Sequence, residues 1–295
     1  MSTEKKSSEQ VMPDNGTVKL KKRGTSFSSP MFLRKLIVAL CPLLRRFPIE
    51  IRGEENIPHE PVLFVCNHSN THDVFVAMEM FSRLHLRLAP FVAWDGLSVV
   101  SRTVFAFGNA VFIRRPSKKS RREGFGKFCD KINHGENGLI FPESTWNLHP
   151  VRPMQKLNAG FIRVALATRV PVVPIILEYI EIPELCRKES ELYSQCVVTF
   201  GKPIYPSMEK DLYEQADAVY VIMSDMRKAL WEEFGIDKTS LDAIDRELYL
   251  NHLDMKKNHA FGFKYDTIGE LRFLLDKENE YFVNQQGEFV PVCLE

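Results

Sequence analysis

Between residues 61 and 201 the chain repeats one theme: a short apolar run, then a turn or a helix-like stretch. The runs are PVLFVC (61–66), RLAPFVA (87–93), AVFIR (110–114), GLIFP (138–142), VVPIIL (172–177) and CVVTFG (196–201). They are rich in β-branched and aromatic residues, and turn formers bound most of them, which predicts strands. Helix-like stretches at 119–134 and 155–168 lie between them. Strands that read as continuous apolar runs are covered on both faces. The pattern predicts an α/β fold with a central, mostly buried sheet flanked by helices. RVPVVPIIL (169–177) carries two prolines three residues apart. Proline cannot donate in a central ladder, so this strand is expected at an edge or with a bulge.

The rhythm fits a single domain over 50–238, closed by a helical segment at 206–236 that ends on a glycine stop. Residues 239–295 read as an appended C-terminal helix followed by a hairpin around NQQG. Residues 1–30 are polar, contain KLKKRG and have no apolar core of a secretory signal, so they read as a disordered basic tail. Residues 31–49 contain MFLRKLIVALCPLLRRF. The uncharged part of that segment is far shorter than the ~20 residues a spanning helix needs, so no transmembrane helix is expected. Arg34, Lys35, Arg45 and Arg46 flank it. An apolar, basic helix of this kind suits a membrane surface, or caps the domain core.

Charge and cysteines narrow the classes. A net charge of +1 leaves no overall attraction for nucleic acid, so any electrostatic specialisation is local. The six cysteines, at 41, 66, 129, 186, 196 and 293, form no CxxC pair and read as reduced thiols of a cytoplasmic protein.

VCNHSNTHDVF (65–75) is the densest chemistry in the chain. His68 and Asp73 would not share a helical face. They meet if His68 sits in the turn after strand 61–66 and Asp73 opens the next helix, where a carboxylate suits the helix N-terminus. A histidine oriented by a carboxylate is a competent general base. The same residues also fit a satisfied polar turn. His68 and His72 have the spacing of two zinc ligands, but no later histidine carries a ligand motif, so no metal is expected. Neither Ser69 nor Ser144 stands in a GxSxG frame.

Two further strand ends carry charge. GNAVFIRRPSKKSRR (108–122) places Arg114 and Arg115 where the cleft of an open sheet lies, and arginine there can grip a phosphate. Lys118, Lys119, Arg121 and Arg122 face a nucleotide phosphate, an anionic membrane or water. LIFPESTWN (139–147) places Glu143 after a rigid Pro142. Glu143 reads as a ligand for an acceptor hydroxyl, or as a helix cap or surface acid.

Taken in order, these stretches resemble the glycerophospholipid acyltransferase family, of the lysophosphatidic acid acyltransferase type. Asn67, His68 and Asp73 match its N-H-x4-D block. Gly108, Phe112, Ile113 and Arg115 match its glycine and F-I-x-R block, with one extra residue after the glycine. Phe141, Pro142, Glu143 and Thr145 match F-P-E-G-T-R, and Val170, Pro171, Val172, Val173 and Pro174 match V-P-[IV]-[IV]-P. VVTFGKPI (197–204) is similar to the family's late strand and turn, so the resemblance covers about residues 50–235.

The resemblance implies that His68 deprotonates an acceptor hydroxyl and Asp73 orients it. The oxygen then attacks the thioester of a fatty acyl donor, either acyl-CoA or acyl carrier protein, with no further cofactor. It implies acceptor binding by Arg115, Glu143, Ser144, Thr145 and Trp146, and a donor or acyl wall from Phe112, Val172 and Pro174. It also implies a peripheral place at the inner face of the membrane. Two departures bear on the acceptor. Ser144 replaces the usual glycine, and Trp146 replaces the usual arginine. Trp146 removes a phosphate ligand and offers a flat stacking face, while Arg152 and Lys156 stand nearby as replacement cations. A lysophospholipid acceptor and a glycolipid, sugar or other non-phosphate hydroxyl therefore both remain open. A lipid-binding protein without catalysis is the alternative of another class.

Overall fold

The computed structural model describes residues 47–69, 72–94, 97, 102, 105–106, 108–144, 147, 152–180, 194–236, 281–283 and 289–291. The basic tail, nearly all of the 31–49 segment and the helix expected after 239 lie outside the described residues.

Seven strands form one sheet: β1 (Ile49–Arg52), β2 (Leu63–Cys66), β3 (Leu88–Ala93), β4 (Val111–Ile113), β5 (Asn137–Ile140), β6 (Val172–Ile180) and β7 (Gln195–Phe200). Their order across the sheet is β1-β7-β6-β2-β5-β3-β4. From β6 to β4 all neighbours run parallel, β7 runs antiparallel to β6, and β1 lies parallel to β7. A separate antiparallel pair joins β8 (Tyr281–Val283) to β9 (Phe289–Pro291). The α/β expectation for the central sheet is met.

Among the described residues, four α-helices cover the sheet: α1 (Asp73–Arg83), α2 (Lys118–Asn133), α3 (Gly160–Thr168) and α4 (Leu212–Glu233). One face of the sheet packs on α1, through Phe64, Cys66, Val173, Ile175, Leu177, Val76, Ala77, Met80 and Phe81. The other packs on α2, α3 and α4, through Leu63, Val65, Val172, Ile176, Phe128, Ile132, Phe161 and Val219. Successive residues of β2 therefore enter opposite cores, which is why its run is apolar throughout. At Gly124 in α2, an added Cβ would lie 2.2 Å from Ile113 Cγ2, so only glycine lets this helix sit so close to β4.

Three boundaries differ from the sequence reading. The strand β1, IEIR, was not expected. It is a short edge strand with two charged residues, the usual way to blunt an edge, and so shows no apolar run. The helix expected from 155 starts only at Gly160, because main-chain N–H groups of 155 and 158 bond to Glu143 and Pro142 instead. The helix expected from 206 starts at Leu212, where the Asp211 side chain accepts from Tyr213 N and Glu214 N.

The proline-bearing strand is central rather than at an edge. Within β6, Ile175 O accepts from Asn67 N on the β2 side, while Pro174 O accepts from Gly201 N on the opposite side. A residue's N and O share a side in a strand, so Pro174 turns its nitrogen toward β7. Paired register with β7 begins one residue later, at Ile175↔Phe200. The missing donor thus falls where β7 has already left the ladder. An added Cβ at Gly201 would lie 2.8 Å from Pro174 Cγ, so the chain leaves closely past the proline ring.

Candidate active site

The five parallel strands end at one edge of the sheet, the edge at which open α/β sheets place their ligands. β2 stops at Cys66. Asn67 then takes over its pairing with β6: its Oδ1 accepts from Leu177 N at 2.7 Å and its Nδ2 donates to Leu177 O at 3.0 Å. The buried side-chain amide continues the ladder while the chain turns away, and this fixes where His68 begins.

The His68 ring meets the carboxylate of Asp73, with Nδ1 2.7 Å from Oδ2. Asp73 is the first residue of α1 and has no exposed surface. It is held from three directions. The same Oδ2 accepts from Ser69 N at 2.9 Å, and Oδ1 accepts from the Tyr179 hydroxyl at 2.5 Å. The helix N-terminus adds a favourable field for its charge. Phe141 stacks against the His68 ring, with centroids 4.6 Å apart and planes tilted by 35°. The ring keeps about a fifth of its surface open (21%), enough for contact with a ligand.

Glu143 is buried behind this dyad. Its Oε1 accepts from His68 N at 2.7 Å and its Oε2 from Gln155 N at 2.6 Å. Burial pushes its carboxyl up to about 8, with the two N–H donors and Arg227 pulling the other way. Ser144 has φ 62°, the left-handed region that favours glycine. Its Oγ accepts from Asn158 Nδ2 at 2.8 Å. Thr145 and Trp146 lie outside the described residues.

Arg115 stands two residues past the end of β4. Three strand spacings separate β4 from β2, so its main chain is about 14 Å across the edge from that of His68. Its carbonyl accepts from the Arg121 guanidinium. Lys118, Lys119, Arg121 and Arg122 are exposed at the start of α2, whose cap is the Ser117 side chain. Phe112 is edge-on to Trp94, with centroids at 5.3 Å, and Arg102 lies over the Trp94 ring at 4.3 Å. Val172 and Pro174 are buried in the sheet, paired with Leu63 and Val65 upstream of the His68 turn. The structure therefore brings His68, Asp73 and Glu143 together. It places Arg115 and Phe112 farther along the same edge, and Val172 and Pro174 inside the core.

Other residues complete the site and carry no motif. Tyr179 reaches it from late in β6. Glu178, its neighbour, accepts from Arg227 Nε at 2.5 Å and from Trp231 Nε1 at 3.0 Å, both from α4. Arg227 Nη1 also donates to Pro153 O at 2.7 Å, tying the loop beneath Glu143 to that helix. Arg152, a replacement cation in the sequence reading, donates to Gln155 Oε1 at 3.0 Å, and Lys156 is exposed. His72 is the residue before α1 and packs edge-on to Phe47. Cys66 is buried, and burial pushes its thiol up, away from the reactive thiolate. Among the described residues no three His, Cys, Asp or Glu side chains gather as a metal site, and no helix is long and apolar enough to cross a membrane.

This geometry lies in a stretch shared with known proteins. Residues 48–178 match the family model described as Acyltransferase. Over 158 residues the chain is 22% identical to a 1-acyl-sn-glycerol-3-phosphate acyltransferase of Saccharomyces cerevisiae, covering 49% of each. Over 145 residues it is 26% identical to a lyso-ornithine lipid O-acyltransferase of Pseudomonas aeruginosa, covering 48% of this chain and 52% of that one. The chain spans about half the length of these curated relatives. The fold is shared with the crystal structure of the 1-acyl-sn-glycerophosphate (LPA) acyltransferase PlsC of Thermotoga maritima. The TM-score is 0.50 at 17% identity, over 68% of this chain and 81% of that one. The stretch 48–178 that holds His68, Asp73 and Glu143 is thus similar to the Acyltransferase family and to curated 1-acyl-sn-glycerol-3-phosphate acyltransferases.

Proposed function

We propose that the protein transfers a fatty acyl group from an acyl thioester, acyl-CoA or acyl carrier protein, to a hydroxyl of a lysophospholipid. The observation that carries this reading is the His68–Asp73 pair at 2.7 Å, at the ligand-binding edge of a domain similar to this family. The bond at Nδ1 leaves Nε2 as the basic nitrogen of the neutral ring. Nε2 takes the proton of the acceptor hydroxyl as its oxygen attacks the thioester carbonyl. The tetrahedral intermediate expels the thiolate, the imidazolium returns the proton to it, and an ester and a free thiol leave. The Asp73 carboxylate stabilises the imidazolium. Such a base contributes about 10²–10⁴-fold in rate. Arg115 and the third-block residues Ser144, Thr145 and Trp146 face the acceptor in this reading. Residues 31–49 and the cations of α2 hold the protein on the cytoplasmic membrane surface.

The test uses the full chain with acyl-CoA and lysophosphatidic acid. Thiol release is expected, and His68→Ala should abolish it. Thiol release that survives the substitution would remove the assigned mechanism.

A second reading keeps the chemistry and changes the acceptor to a hydroxyl lipid without phosphate. It is supported by Trp146 in place of the family's arginine, and by the similarity to an enzyme named for lyso-ornithine lipid. Matched acceptors with and without phosphate separate the two. A strict phosphate requirement excludes the second.

A further inference from the structure

The main chain of His68 is gripped from both sides by a single loop. His68 N donates to Glu143 Oε1 at 2.7 Å, and His68 O accepts from Asn147 N at 2.6 Å. The loop closes on itself behind the histidine. Asn147 Oδ1 accepts from Gln155 Nε2 at 3.4 Å, and Gln155 N donates to Glu143 Oε2 at 2.6 Å. The path from His68 through Asn147, Gln155 and Glu143 returns to His68 as a closed hydrogen-bonded ring. Glu143, Asn147 and Gln155 are all buried, with 4%, 4% and 5% of their surface exposed. Asn147 Nδ2 bonds Arg152 O at 2.8 Å, and Arg227 anchors Pro153 O, so the far side of the ring is braced as well.

A ligand for an acceptor hydroxyl must present a lone pair to the cleft. Glu143 spends one position of each oxygen on a main-chain N–H and has almost no exposed surface. Small errors in the placement of a general base are costly, because proton transfer needs the heavy atoms about 2.6–3.2 Å apart. Asp73 fixes the rotation of the imidazole through Nδ1 and holds the following N–H, that of Ser69. The N–H and C=O of His68 itself are held by the ring of bonds.

We propose that Glu143, Asn147 and Gln155 are positioning residues that set the height and tilt of His68, and that Glu143 does not bind the acceptor. This rests on the acyl-transfer reading above, and departs from the acceptor role that the family resemblance implies for Glu143.

The full chain carrying Glu143→Gln is compared with wild type. Glutamine keeps the shape but turns one acceptor oxygen into an NH2 group facing a main-chain N–H. The expected result is a fall in kcat of about 10–100-fold, the scale of a small misplacement, with the acceptor KM within about twofold. Asn147→Ala keeps its main-chain N–H but cuts the link to Gln155. It should lower kcat by a smaller factor at the same KM, and it keeps the test available if Glu143→Gln does not fold. An acceptor KM raised about tenfold with kcat unchanged would make Glu143 a ligand and overturn the proposal. Histidine-selective 15N NMR supplies a readout that needs no turnover. The His68 ring resonances should move in both variants, and unmoved resonances in a folded Glu143→Gln protein would overturn the ring. If wild type shows no His68-dependent thiol release with any acceptor, the acyl-transfer reading fails while the NMR still decides the ring.

Discussion

The Tyr179 hydroxyl donates to Asp73 Oδ1 at 2.5 Å, on the oxygen opposite the one that holds His68. The buried carboxylate is thus fixed at both ends, and the histidine with it. Tyr179→Phe removes a charge-assisted bond and leaves one oxygen short of a donor. The loss should be about 1–3 kcal/mol in stability. It should also cost several-fold in kcat at unchanged acceptor KM. Steady-state kinetics with denaturant unfolding checks this, and a fully active Tyr179→Phe would deny Tyr179 any part in placing Asp73.

Glu143 makes stability depend on pH. Its carboxyl moves from an ordinary 4.5 up to about 8 on folding, chiefly by burial. Gln155 N, His68 N and Arg227 oppose the rise, and Asp73 adds to it. Between those values the folded state holds a proton that the unfolded state has released, so stability falls as pH rises. The contribution is fully present below about 4.5 and is lost as pH climbs through about 8. The neutral acid keeps two acceptor oxygens, so the ring around His68 survives protonation. Urea titrations between roughly pH 5 and 8 should show the decline, and Glu143→Gln should flatten it. An unchanged slope would locate the titration elsewhere.

Ser144 stands at the glycine of the F-P-E-G-T-R motif that this stretch resembles, and its φ of 62° is one that glycine adopts most easily. A side chain there costs about 1–2 kcal/mol, and the bond from Asn158 returns about 1 kcal/mol. Ser144→Gly should therefore be at least as stable as the parent in thermal unfolding. Ser144→Val should be less stable by about 1–3 kcal/mol. A glycine variant that melts markedly earlier would show that the hydroxyl matters more than the strain.

Arg227 and Glu178 are an ion pair with 11% and 5% of their side-chain surface exposed. Arg227→Met strands a buried carboxylate and should cost about 3–5 kcal/mol. Adding Glu178→Gln removes the stranded charge and should recover part of that loss. Equal stabilities for the single and double variants would show that the pair is not coupled.

Membrane binding tests the N-terminal segment. Phe47 is 5% exposed and lies edge-on to Tyr179 at 5.6 Å, so it belongs to the domain core. Deleting 31–46 leaves that contact in place. The truncated protein should lose most of its affinity for vesicles with anionic lipid. Equal sedimentation of both forms with vesicles would assign membrane contact to another surface.

The sheet was legible because burial on both faces writes itself as apolar runs, unbroken in β2 and covering Val172–Leu177 of β6. β1 was not, since an edge strand of alternating apolar and charged residues resembles a loop. The strand of Pro174 is central against the edge expectation because a strand's hydrogen-bonding sides depend on where its neighbour stops, and no local pattern carries that. At the site, spacing showed how His68 and Asp73 can meet across a strand-to-helix turn, and the family resemblance singled them out. Tyr179 was not legible, because it arrives 106 residues later on a strand whose apolar residues give no sign of a polar task. Asn147 and Gln155 were hidden for another reason. They act through main-chain groups and amides, which any sequence offers in abundance.

The ring that holds His68 has a consequence for inheritance and for engineering. The histidine and aspartate lie within one short segment, yet the histidine's backbone is fastened to residues 143, 147 and 155. The short motif is therefore not a portable cartridge. Grafted alone onto another sheet, it would bring a histidine with no mounting. Under the proposed acyl transfer, any lineage that remodels the loop from 143 to 155 must also preserve the fastening of His68, so acceptor choice and catalytic competence would be constrained to change together.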